Sequence, residues 1–284
     1  DDYAKLDKKT GGDLPPGITV CRGIQYLIDG LINYRGTILY WQESDDCTFT
    51  QNVNQLNNFT PTLLAGPLTS PKCYRAFVQS AGCPGVFSDA MMINLFPDPT
   101  PGTIAGNSPV CTGNSQTLTL SGHSGNVVRW ESGTNGVTFP TTIATTTTTL
   151  NIGPLTQTTW YRAILTNLSG NCTTIVAGTI QIVVDPTSVA GTIASARTIC
   201  NGDDGGGLTL SGQVGAIQRW ESSTDGFTTV NTITNITTTQ VVGFINTTTC
   251  YQAVVKSGVC PAATTPQVCV TVVSAPIGGS VTGG

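Results

Sequence analysis

The stretch Arg129-Trp130-Glu131-Ser132 returns 90 residues later as Arg219-Trp220-Glu221-Ser222. A looser copy, Tyr40-Trp41-Gln42-Glu43-Ser44, stands 89 residues earlier, so three of the four tryptophans occupy one position of a repeat. A period of this length marks an array of similar units. The recurrence divides the chain into a leader at 1–16, a divergent first unit at 17–98, a second at 99–186, a third at 187–275, and the opening of a fourth at 276–284. Units of this size bury only about 60–65% of their extended-chain surface, so covalent help is expected.

The ten cysteines follow the repeat. Cys21 to Cys83, Cys111 to Cys172 and Cys200 to Cys260 span 62, 61 and 60 residues. Near-constant spacing, with no Cys-x-x-Cys motif, reads as one disulfide per unit formed in an oxidising compartment. The expected bonds are therefore Cys21–Cys83, Cys111–Cys172 and Cys200–Cys260, each pinning the first strand region to the last hairpin. Cys47 and Cys73 belong to the first unit. Cys250 and Cys269 belong to the third, where they would bridge its last two strands. The first ten residues are polar and charged, unlike a signal peptide. Gly278-Gly279-Ser280-Val281 repeats the openings at Gly102 and Gly191, so a fragment of a longer exported chain is expected.

Charged residues make up only 10% of the chain and its net charge is −4, with basic residues scattered. That excludes a surface built to neutralise phosphates, and nucleic acid with it. No apolar run approaches the length of a membrane span.

Strand signals fill each unit. Leu118-Thr119-Leu120, Leu208-Thr209-Leu210 and Leu150-Asn151-Ile152 alternate, and Val268 to Val273 is rich in β-branched residues. Turn clusters such as Asn135-Gly136 and Asp225-Gly226 separate them. Pro97-Asp98-Pro99-Thr100-Pro101, Asp185-Pro186 and Ala275-Pro276 stiffen the joints. About seven short strands per unit predict an all-β chain of three tandem immunoglobulin-like antiparallel sandwiches. Trp41, Trp130 and Trp220 are expected in the cores, with Tyr74, Tyr161 and Tyr251 at a corner that bonds back to upstream backbone.

Chemistry-bearing constellations are scarce. The lone histidine, His123, reads as an exposed loop residue. Glu43, Glu131 and Glu221 read as one repeat position, paired across strands with Arg75 or Arg162 where an arginine is present. Asp45-Asp46 and Asp203-Asp204 are the places to look for calcium, but neither matches a cation-binding loop, and solvated acidic turns are the simpler reading. Sequons stand at Asn58, Asn167, Asn171, Asn235 and Asn246, in a chain rich enough in Thr and Asn to contain them by chance. No catalytic, cofactor or metal residues are expected, and no enzyme.

Several motifs recur together: Gly102-Thr103-Ile104-Ala105, Leu118-Thr119-Leu120-Ser121-Gly122, Arg129-Trp130-Glu131-Ser132, Thr159-Trp160-Tyr161-Arg162-Ala163 with its counterpart Thr249-Cys250-Tyr251-Gln252-Ala253, and a closing Gly-x-Cys. This set resembles the immunoglobulin-like repeats of giant Bacteroidota cell-surface proteins, the SprB-type gliding-motility adhesins above all. The likeness covers 101–273 closely and the first unit loosely. It implies type IX secretion, attachment at the outer cell surface, and a stalk whose partners are neighbouring repeats of the same chain, surface polysaccharide, or the secretion and gliding machinery. Two other roles are open: a carbohydrate-binding accessory module of a secreted enzyme, and a filament subunit donating a strand from 1–20.

Overall fold

The computed structural model describes residues 11–169, 172–274, 276 and 278–279. It is all-β, three disulfide-bonded immunoglobulin-like sandwiches in tandem, each with its own core. In the second unit one layer is Thr103–Ala105, Gln116–Ser121 and Thr149–Ile152. The facing layer orders Thr141–Ile143, Asn126–Gly133, Thr159–Thr166 and Ile175–Ile182. The third unit repeats this plan, and the first keeps the larger layer but reduces the other to Tyr26–Ile28 against Leu63–Ala65.

The tryptophan strands are Thr37–Ser44, Asn126–Gly133 and Ala216–Ser223. Each carries a register shift just before its tryptophan, between Ile38 and Tyr40, Val127 and Arg129, Ile217 and Arg219. Such a bulge re-aims the residues that follow it. Trp41, Trp130 and Trp220 are all 0% exposed. Each lies opposite an alanine, Ala76, Ala163 or Ala253, on the neighbouring strand. A methyl group there leaves room for the indole, which explains why alanine recurs two residues after Tyr74, Tyr161 and Tyr251.

A buried indole N–H needs an acceptor. Trp41 Nε1 donates to the Thr60 carbonyl at 3.0 Å, Trp130 to Thr147 at 3.0 Å and Trp220 to Thr237 at 2.9 Å. Two of these carbonyls sit in Asn-x-Thr turns. Asn58 Oδ1 accepts the Thr60 N–H and hydroxyl, and Asn235 Oδ1 accepts those of Thr237. Their amide nitrogens are committed as well, to the Thr62 and Thr239 carbonyls. The sequons at Asn58 and Asn235 are therefore turn-forming devices that present a carbonyl to the core tryptophan. Asn167 is buried, and Asn171 lies outside the described residues.

Several expectations need correction. Part of the stretch read as a leader packs against the first unit: Gly11 and Gly12 are buried, and Asp13 exchanges backbone hydrogen bonds with Ile32. Residues 1–10, and most of the stretch read as a fourth opening, lie outside the described residues. Glu43 is out of register with the other two glutamates. Gln42, Glu131 and Glu221 are the aligned trio, facing Arg75, Arg162 and Gln252. The looser motif of the first unit carries its glutamate one residue later, so the aligned side chain there is an amide. The Tyr74 hydroxyl donates to Glu43 at 3.4 Å, not to upstream backbone, because the displaced carboxylate is within reach. His123 is half-buried, packed beside Gly102, with a buried Nδ1 that has no hydrogen-bond partner among the described residues.

Candidate functional site

The joints between units carry what is unusual in this chain. Parallel pairing sets their geometry. Ile18–Val20 runs parallel to Met91–Leu95, so Cys21 emerges where the first unit ends. Val110–Cys111 runs parallel to Val184–Asp185, and Cys111 sits against Asp185 at the second joint. The hairpin cysteines lie at the other end. The tyrosine strand Lys72–Gln79 is antiparallel to Met91–Leu95 and carries the chain back to the turn that holds Cys83. Eight strand residues span about 27 Å, whereas bonded cysteines need Cα atoms within about 7 Å.

The pairings Cys21–Cys83, Cys111–Cys172 and Cys200–Cys260 are thus overturned. Cys21 bonds Cys172 and Cys111 bonds Cys260, with Cα separations of 5.4 and 4.8 Å. The end of one sandwich is strapped to the hairpin of the next. Cys47 bonds Cys73 and Cys250 bonds Cys269, each within its unit, the latter two residues being directly opposite on paired strands. Cys83 and Cys200 remain thiols.

Polar contacts tighten both joints. Arg22, next to Cys21, holds Asp98 at 2.9 Å and reaches the Thr69 carbonyl. Thr100 N donates to Ser124 Oγ at 2.8 Å. At the second joint Asp185 Oδ2 accepts the Val259 N–H at 2.9 Å, and Ser188 Oγ accepts that of Ser257 at 2.8 Å. Gly258 has φ +47°, and a Cβ there would lie 1.8 Å from the Asp185 carboxylate. Glycine suits both the positive φ and the close approach by which the hairpin of the third unit seats on the linker.

The acidic turns are internally satisfied. Asp46 accepts from the Thr48, Thr50 and Ser44 hydroxyls and from the N–H groups of Thr50 and Gln51. The Thr48 and Thr50 hydroxyls lead in holding its carboxyl below the usual range. Asp45 bonds Asn52 and Lys72, which hold its carboxyl down as well. Asn135 and Asp225 occupy the place of Asp46 in the other units and close the same kind of turn. Asp203 and Asp204 accept the backbone N–H groups of Cys200 and Gly206. Among the described residues no three of His, Cys, Asp and Glu are grouped to hold a metal ion, and no helix is long and apolar enough to cross a membrane.

Glu131 and Glu221 are 6% exposed, flanking their tryptophans. Burial pushes the Glu131 carboxyl up, but bonds from Arg129 and Arg162 at 2.7 Å outweigh it and hold the carboxyl low. Glu221 is held by Arg219 at 2.7 Å and Gln252 at 2.6 Å. These are sheet-face clamps rather than reacting groups. Phe59 and Phe244 are exposed, whereas the aromatic group on the sheet of the first unit is closed on itself. Tyr40 stacks on Phe77 at 4.9 Å, Phe87 tilts against Phe77, and Arg75 covers Phe87 at 3.6 Å. Trp160 lies over Gly136.

No curated protein matches the chain. Similar solved structures include an I-band fragment of titin, at TM-score 0.45 and 11% identity over 92% of this chain and 97% of that one. Others are extracellular domains 3–5 of Drosophila OTK, at 0.36 and 12% over 93% and 96%, and the N-terminal four Ig domains of a Dscam1 isoform, at 0.32 and 12% over 94% and 74%. One family model matches three times in succession, at residues 10–97, 100–186 and 189–274, and the chain therefore belongs to the family described as Domain of unknown function (DUF8696).

Proposed function

We propose that this chain is a non-enzymatic rod segment of an extracellular adhesive protein, its task being to hold a binding surface at a fixed distance. The observation that carries this reading is the pair of bonds Cys21–Cys172 and Cys111–Cys260, each joining successive sandwiches. A bond between units does little for either core but restricts the angle between them. Four disulfides also fit an oxidising extracellular compartment. The finer reading is a stalk of a Bacteroidota gliding-motility or surface adhesin exported by type IX secretion. It rests on the motif set around Trp130 and Trp220 and includes the units as first assigned, 17–98, 99–186 and 187–275.

Small-angle scattering of the oxidised chain and of a Cys111→Ser/Cys260→Ser variant tests the rod. The oxidised chain is expected to give one narrow maximum dimension and the variant a broad, shorter distribution. Indistinguishable curves would sink the proposal. Binding to a panel of surface polysaccharides separates a passive spacer from a segment that itself adheres.

A further inference from the structure

Both bonds between units obey one rule: the strand-end cysteine of a unit takes the hairpin cysteine of the unit after it. The two cysteines left reduced are the unused halves of that rule. Cys200 is the strand-end cysteine of the third unit, paired in parallel register with Val273. Cys83 is the hairpin cysteine of the first.

Local geometry makes the equivalence tight. Around Cys111, Thr112 N donates to the Asp185 carbonyl at 2.9 Å and Asn114 N to the Cys111 carbonyl at 3.1 Å. Around Cys200, Asn201 N donates to the Val273 carbonyl at 3.0 Å and Asp203 N to the Cys200 carbonyl at 3.1 Å. At the hairpins, Cys260 N donates to the Ser257 carbonyl at 2.8 Å and Cys83 N to the Ser80 carbonyl at 3.0 Å. Cys83 is exposed and Cys200 half-exposed. The two thiols thus keep the backbone frames of bonded cysteines while lacking partners among the ten.

We infer that Cys200 and Cys83 are complementary covalent docking points for a further unit of this same fold, seated end to end. Cys200 takes an incoming unit's hairpin cysteine, and Cys83 takes the strand-end cysteine of a unit placed ahead of it. The occupant is a like sandwich because two joints already seat like sandwiches on these positions. The inference uses the end-to-end arrangement of the rod reading but not its adhesive role.

Closure is an oxidation. With glutathione disulfide as oxidant, the Cys83 thiolate attacks one glutathione sulfur and releases the other as thiolate. The Cys200 thiolate of the neighbouring unit then attacks the Cys83 sulfur and expels the second glutathione thiolate. Two protein thiols lose two protons and two electrons, and one glutathione disulfide becomes two glutathione thiols.

A second copy of the chain serves as probe. Cys83→Ser and Cys200→Ser variants are incubated in a glutathione redox buffer, separately and mixed, then resolved on non-reducing gels and mapped by peptide mass. The mixture is expected to give a dimer containing a Cys200–Cys83 peptide, while each variant alone stays monomeric. Equal dimerisation of a single variant alone, or a mixture that stays monomeric, overturns the inference. The same maps report the internal bonds. Finding Cys21–Cys172 and Cys111–Cys260 intact beside a monomeric mixture refutes end docking alone. Finding those bonds replaced by pairs within units refutes the rod reading as well.

Discussion

At the residue scale the decisive contacts are polar atoms serving apolar ones. Each core tryptophan is buried outright, and its single N–H is met by a threonine carbonyl, fixed for Trp41 and Trp220 by an Asn-x-Thr turn. Trp220→Phe is expected to lower stability by about 2–4 kcal/mol, from lost volume plus an orphaned carbonyl. Asn235→Ala removes the turn bonds together with the one to Gln240 Oε1 and is expected to cost about 1–2 kcal/mol. Urea unfolding followed by tryptophan fluorescence measures the second, and circular dichroism the first. Asp225 makes the pH prediction. The Thr229 N–H and then the Ser223 hydroxyl hold its carboxyl down at about 2, against 3.8 ordinarily. A depressed carboxyl contributes stability that is present above pH 3.8 and lost as pH falls through about 2. Protection of the Thr229 amide should fall across that window in the native chain and stay flat in Asp225→Asn, whose side chain accepts as Asn135 already does. Much of this scale was legible: the tryptophan recurrence marked the cores. The sequons were not read as turns, because an Asn-x-Thr triplet looks the same whether its amide faces solvent or its own backbone. The register of Glu43 was missed because the looser motif shares its letters but not their offset from Trp41.

At the element scale the fold was readable from strand alternation and turn spacing, since a period of two and a glycine pair are local signals. Cysteine pairing was not. Spacings of 62, 61 and 60 residues suit a bond within each unit and a bond to the next unit equally well. Strand direction separates them: a first strand parallel to the last puts its cysteine at the far end from the hairpin. The tyrosine strand carries the difference, being long enough to hold the two sulfurs about 27 Å apart. The seat of the third unit's hairpin on its linker gives a direct check. Gly258→Ala drives a methyl into the Asp185 carboxylate at a positive φ. It is expected to cost about 1–3 kcal/mol and to slow closure of Cys111–Cys260 during oxidative refolding. Timed alkylation with peptide mapping would read this; unchanged closure would mean the hairpin shifts without cost.

At the scale of the whole molecule the two straps overlap, one opening at Cys21 and closing at Cys172, the other opening at Cys111 and closing at Cys260. Neither was expected from units that each possess a separate core, because nothing in a core's own pattern refers to its neighbour. Their consequence is felt under tension. Load entering at Cys21 crosses directly to Cys172, so the 151-residue span between them is bypassed. Paid out fully, such a span would add about 500 Å of contour length. A single-molecule pull on the oxidised chain should lack that extension and recover it after reduction, so a sandwich that melts in mid-chain leaves the tether almost as short as before.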